Sequence, residues 1–145
     1  MPRPEQYDNL IRSGLLQPVT GSRDFIAQYV ANARAFAADA ERASVPLIRF
    51  TLAYEGFYCL VQAVLEHHEV RSTSKPGHRI VAIQRVCADL NLSPGQVKQI
   101  TDVHSRRNEA VYRAPLPPVS QAEADAMLAI VNMATVEVVA LTSPG

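Results

Sequence analysis

The chain has 145 residues, of which 48% are apolar and 19% charged, the composition of an ordinary folded protein rather than a disordered segment. That length supports one buried core, so a single domain over 1–145 is expected. Lys plus Arg and Asp plus Glu balance at 14 each, which argues against holding duplex nucleic acid by bulk charge and leaves room only for a local basic patch.

In chain order, helical signals follow one another almost without a break, and no alternating strand pattern bounded by turns stands out. The opening "MPRPEQYDNL" lacks the apolar core and small-residue cleavage site of a secretory signal. "EQYDNLIRSGLL" predicts a short helix ending near Gly14, within an N-terminal arm over 1–20. "TGSRDFIAQYVANARAFAADAERA" predicts a long helix capped by Ser22, with Phe25, Tyr29, Ala33 and Phe36 as its apolar stripe. "SVPLIRFTLAYEGFYCLVQAVLEHH" follows after a tight joint, with Ser44 as the expected cap and Pro46 in the first turn. Its stretch 50–65 reads as the most apolar in the chain, yet it is too short for a bilayer and holds Glu55 and Gln62. It therefore predicts the central helix of a bundle, in a cytoplasmic protein that does not engage a membrane.

"EVRSTSKPG" predicts a loop closed by Pro-Gly, and "HRIVAIQRVCADL" a helix with Ile80, Ile83, Val86, Cys87 and Leu90 on one face. "SPGQ" at 93–96 is a capping box, with Ser93 as cap, Pro94 in the first helical position and Gln96 reaching back. That helix continues through "VKQITDVHSRRNEAVY" until the proline-rich turn at 115–119 stops it. "SQAE" at 120–123 is a second capping box, opening the last helix, "ADAMLAIVNMATVEVVAL". Cys59 and Cys87 fall inside apolar helical patterns and predict buried free thiols. With no CxxC and no dense His/Cys cluster, neither a metal nor a cofactor is expected, and the pair His67-His68 lacks further ligands nearby. The expected fold is all-α, an up-and-down four-helix bundle with a short extra N-terminal helix.

The chemistry concentrates in "HSRRNEAVYR", residues 104–113. On a helix His104, Arg107, Asn108 and Val111 share one face, bordered by Tyr112, while Arg106 and Glu109 point elsewhere. Arg107 offers a planar fork for a phosphate, His104 titrates near neutrality, and Tyr112 has both a stacking face and a hydroxyl. Asn108 can orient a ribose or a neighbouring side chain. A solvated helix end, with cations favoured by the dipole, explains the same residues. Glu55, alone in the middle of an apolar helix, needs a partner, and an arginine of this stretch is the natural one. "KPGHR" at 75–79 sets His78 and Arg79 at a helix N-terminus, where backbone N–H groups favour an anion.

Taken in order, "LIRSGLLQP", "AYEGFYCLVQAVL", "GHR", "RRNEAVY" and "VSQAEADAML" resemble the small bacterial HEPN-domain proteins, over roughly residues 9–135. The resemblance implies a helical bundle, usually a homodimer, of the kind found in toxin–antitoxin and defence systems. It also implies a metal-independent ribonuclease site built across the dimer from an arginine, a polar residue after it, and a histidine four to six residues on. Matched position by position, Arg107 is that arginine and Asn108 the polar residue, but the histidine would fall at Tyr112, or at Arg113 or Ala114, none of which is a histidine. A phenol is a poor base at neutral pH and serves binding and stacking better than cleavage.

Three functions follow from the resemblance. The first is binding of RNA, or of a nucleotide or other phosphate ligand, in a dimer cleft with weak or no cleavage. Its catalytic-type positions would be Arg107, Asn108, Tyr112 and His104, its ligand-binding positions Arg106, Arg107, Tyr112, His78 and Arg79, and Glu55 would hold the arginine. The second is an active ribonuclease toxin in which His104 or His78 replaces the missing base. The third is an interaction module paired with an antitoxin or a nucleotidyltransferase, in which Arg107 and Glu55 are only an ion pair. An exposed Arg107 beside a groove favours the first two; a buried Arg107 locked onto Glu55 favours the third.

Overall fold

The computed structural model describes residues 3–90, 92–108 and 115–144, with Asn108 described by its backbone alone. In chain order the elements are α1 (Glu5–Arg12), β1 (Leu16–Pro18), α2 (Arg23–Arg42), α3 (Pro46–His67), β2 (Val70–Ser72), α4 (His78–Asp89), α5 (Pro94–Asn108) and α6 (Gln121–Thr142). Among the described residues the fold is all-α apart from one small strand pair, and five helices follow α1, one more than the four of the expected bundle.

Local chemistry sets most of the boundaries. The Ser22 hydroxyl accepts from the Phe25 N–H and starts α2, whose buried positions Ile26, Val30, Ala33, Ala37 and Ala40 alternate by four and three. The apolar stripe is thus rotated from the expected one: of Phe25, Tyr29, Ala33 and Phe36, only Ala33 is buried, and Phe25 is 48% exposed. The reason is the close approach of α3. At Gly56 an added Cβ would stand 3.1 Å from the Phe36 Cβ and 3.2 Å from the Ala33 carbonyl oxygen, so small residues face α3 and the rings move to the edges. Ser44 does not cap α3 either. Val45 precedes the first turn without a side-chain cap, and Arg49 holds the joint instead. It donates to the carbonyls of Ala40 at 3.0 Å and Glu41 at 2.9 Å, the last turn of α2, and to Asp125 of α6 at 2.6 Å. Both capping boxes form, Ser93 with Gln96 and Ser120 with Glu123.

These contacts also give the helix directions. Arg49 lies beside Asp125 and Gly56 beside Val131, so α3 and α6 run the same way. Gly56 also meets Ala33 and Phe36 while Arg49 meets Ala40, so α2 runs opposite to α3. Gln96 touches Met133 and Arg106 touches Glu123, which sets α5 against α6. Helices α2, α3, α5 and α6 therefore alternate in direction around one buried cluster, with α3 at its centre. Among the described residues α6, rather than the 50–65 stretch, is the helix long and apolar enough to cross a bilayer by length and composition. Here it packs on α3 and α2 through Ala124, Met127, Ile130, Val131, Ala134 and Val138.

The expected loop at 69–77 contains β2, which pairs antiparallel with β1 through Leu16↔Ser72 and Pro18↔Val70. Three-residue strands are too short to show an alternating pattern. Two polar networks pin this end of the fold. Tyr7, fully buried on α1, donates its hydroxyl to Asp89, which also accepts from Arg85 at 2.8 Å and faces His68 at 3.4 Å. Burial alone would raise the Asp89 carboxyl, but hydrogen bonds from His68, Tyr7 and Arg85 outweigh it and hold it below its usual range. Glu66, 1% exposed, accepts two hydrogen bonds from Arg71 at 2.9 and 3.0 Å and one from the Ser22 N–H at 3.1 Å.

Candidate functional site

Helix α5 buries Ile100 and Val103 against the core, and one turn further His104 and Arg107 turn toward α3. The Tyr54 hydroxyl lies 2.7 Å from His104 Nδ1, and Arg107 donates to Glu55 Oε1 at 3.1 Å. From α4, Arg79 reaches the same oxygen at 3.9 Å, and its guanidinium carbon stands 4.0 Å from the Tyr58 ring centroid. Arg107 in turn lies 5.5 Å from the Tyr54 ring. Two guanidiniums thus stand against aromatic faces and converge on one carboxylate.

Arg79, His104 and Arg107 border a cleft of about 450 Å³, completed by His78, Ile80 and the 74–77 loop. The N-terminus of α4 opens there. Gly77 supplies the left-handed turn at φ 84, no side chain caps the helix, and His78 Nδ1 is 3.0 Å from the Lys75 carbonyl oxygen. Burial pushes the Tyr54 hydroxyl up, with Arg79 and Arg107 pulling the other way, so the phenol stays protonated. The 2.7 Å contact lets the Tyr54 hydroxyl donate its proton to His104 Nδ1. Burial first, and then Arg79 and Arg107, lower the His104 pKa, so the ring is neutral near pH 7. In that arrangement His104 Nε2 carries the ring proton and is a donor, which suits holding an anionic oxygen more than removing a proton.

The structure brings His78, Arg79, His104 and Arg107 to one cleft, with Glu55 paired to Arg107. Arg106 is placed elsewhere. Its Nε donates to Glu123 at 3.1 Å and an η nitrogen to the Pro117 carbonyl at 2.7 Å, tying α5 to α6 and to the proline-rich turn. A helix turns about 100° between adjacent residues, so Arg106 and Arg107 cannot serve the same face. Tyr112 and the side chain of Asn108 lie outside the described residues. The sequence reading gave no role to Tyr54 or Tyr58, although two tyrosines four apart beside Glu55, on an otherwise apolar helix, are themselves a signal of a polar edge.

A larger groove, about 660 Å³, runs between α5 and α6 over Phe50, Val103, Ala122 and Ala126. Its rim charges are already matched as Arg106–Glu123 and Lys98–Asp102, so the cationic cleft is the better chemical candidate. Among the described residues no three His, Cys, Asp or Glu side chains converge as a metal ion would require. Cys87 is buried, and burial pushes its thiol up to about 11; Cys59 is only half-buried. No protein-family model matches the chain, and no curated protein matches it in sequence.

Proposed function

We propose that this chain is a HEPN-like protein of a bacterial toxin–antitoxin or defence system that binds RNA, or another phosphate-bearing ligand, with weak or no cleavage. The four-helix core of that reading is α2, α3, α5 and α6, which alternate in direction, with α4 as an added helix and α1 as the N-terminal arm. The observation that carries it is the convergence of Arg79 and Arg107 on a single carboxylate at the wall of a cleft that also holds His78 and His104. Guanidiniums lining a cleft are suited to hold an anion, and the N-terminus of α4 adds N–H donors. His104, neutral and tied to Tyr54, supports holding over cleaving. In this reading two copies place their clefts together in a cytoplasmic homodimer.

A second reading has its own support. Arg107 is only 16% exposed and is paired with Glu55, the geometry expected of an interaction module that works with an antitoxin or nucleotidyltransferase. One experiment separates the two. Fluorescence anisotropy with a single-stranded RNA at fixed salt is expected to show binding that drops about tenfold or more in Arg107→Ala and in Arg79→Ala. Equal binding by wild type and both folded variants, or none by any, refutes the RNA reading and leaves the module. Metal-free incubation with the same RNA reads cleavage directly: product that vanishes in Arg107→Ala establishes a ribonuclease. Light scattering that finds only monomer at micromolar concentration refutes the dimer cleft.

A further inference from the structure

We propose that Glu55 tempers the charge preference of the cleft, weakening its discrimination in favour of a doubly charged phosphate monoester over the singly charged phosphodiester of a polynucleotide. This rests on the anion-binding reading above. Arg79 and Arg107 come from different helices and reach the same atom, Glu55 Oε1, at 3.9 and 3.1 Å. Any oxyanion held by both guanidiniums therefore sits within a few ångström of a fixed negative charge. The carboxylate has little freedom to leave. It rises from the middle of α3 between Tyr54 and Gly56, both buried, and its side chain is 29% exposed.

Glu55 is not needed to aim the guanidiniums. Arg79 is already seated 4.0 Å from the Tyr58 ring centroid, and Arg107 lies 5.5 Å from that of Tyr54. What the carboxylate adds is charge, at the point where the ligand's own charge must go. A phosphodiester carries one negative charge and a terminal phosphate about 1.5 to 2 near pH 7. The second charge gains from the two arginines but is opposed by Glu55, whereas the diester meets that opposition once. Whatever other groups border the cleft, removing the carboxylate's charge adds one positive unit there and must favour the more negative ligand.

The test uses two probes that differ by one phosphate charge and one methyl group, 2′-deoxyadenosine 3′-phosphate and its methyl ester, titrated calorimetrically at about pH 8, where the monoester is a dianion. The 2′-deoxy sugar prevents cleavage. Wild type is expected to discriminate only weakly between the two. Glu55→Gln, which keeps the size of the side chain, should shift the ratio of the two affinities toward the monoester by about tenfold, and Glu55→Asp should keep the wild-type ratio. Wild-type binding with an unchanged ratio in Glu55→Gln overturns the inference while leaving anion binding intact. Binding of neither probe by wild type and Glu55→Gln alike, in folded samples, overturns the anion-binding reading and this inference with it.

Discussion

Tyr54→Phe removes one oxygen atom from the centre of the site and so probes the cleft without altering its shape. Tyr54 is 1% exposed, and its hydroxyl is 2.7 Å from His104 Nδ1. The net worth of such a hydrogen bond is about 0.5–1.5 kcal/mol, and an acceptor left behind without a partner adds about 1 kcal/mol more. His104 is only half-buried, so water can recover part of that second loss. The expected cost is about 1–2 kcal/mol, or roughly 3–6 °C in Tm for a chain of this size. Urea denaturation at about pH 8, where the imidazole is neutral, measures it, and a double-mutant cycle with His104→Ala should return a coupling of about 1 kcal/mol. A neutral or stabilising Tyr54→Phe, or a coupling near zero, would show that the hydroxyl is not spent on His104. The assignment of His104 as a donor to the ligand would then lose its basis.

Arg71→Ala should destabilise more than Glu66→Gln, although Arg71 is the more exposed partner, because the first leaves a buried carboxylate without its cation. Urea midpoints that rank the two variants the other way round refute this. Gly56→Ala should destabilise by about 1 kcal/mol, the crowding against Phe36 and Ala33 exceeding the gain in helix propensity, whereas Gly95→Ala, with only the Ser93 hydroxyl at 3.9 Å, should be neutral or stabilising by up to about 1 kcal/mol. Equal thermal shifts for the pair would contradict the packing argument. Burial, followed by nearby positive groups, lowers the pKa of both His67 and His104, so the unfolded chain binds their protons more readily. Stability from these two groups is full above about pH 6.5 and lost as pH falls through that value toward the folded-state pKa; a urea midpoint unchanged between about pH 7.5 and 5 would refute the shifts. The Asp89 carboxyl acts lower, its folded pKa lying below the unfolded one, so its share persists above about pH 4 and disappears only under stronger acid.

What could be read from the sequence follows the range of the interaction. Ser22, Ser93 and Ser120 cap as expected because a cap and the N–H that donates to it lie within three residues of each other. Ser44 fails as a cap because Arg49 competes for the joint through contacts to two other helices, which a local pattern cannot contain. The α2 stripe slips by one position for the same reason: seven alanines and Phe36 satisfy several helical faces, and only the approach of Gly56 chooses among them. At the site, the partner of Glu55 was legible from the cost of an isolated carboxylate in an apolar helix. The second arginine on that carboxylate, and the tyrosines behind both, depend on how α4 and α5 are set against α3.

Glu55 and Glu66 stand three helical turns apart on the same side of α3, with Cys59 and Gln62 between them, and the contrast between them is the strongest physical reason to treat one as structure and the other as chemistry. Glu66 is 1% exposed, takes both donors of one arginine in a fork and a backbone N–H besides, and has nothing left to offer a ligand. Glu55 is 29% exposed and is shared, through one oxygen, by two arginines that no other described carboxylate faces at ion-pair distance. A fold that needed only a pin at this point could use the arrangement it already has at Glu66. A second guanidinium, aromatic seats for both and a cleft that both arginines line are what set this cluster apart, and they make the Arg79–Glu55–Arg107 set the place where a loss of binding should be largest for the smallest loss of stability.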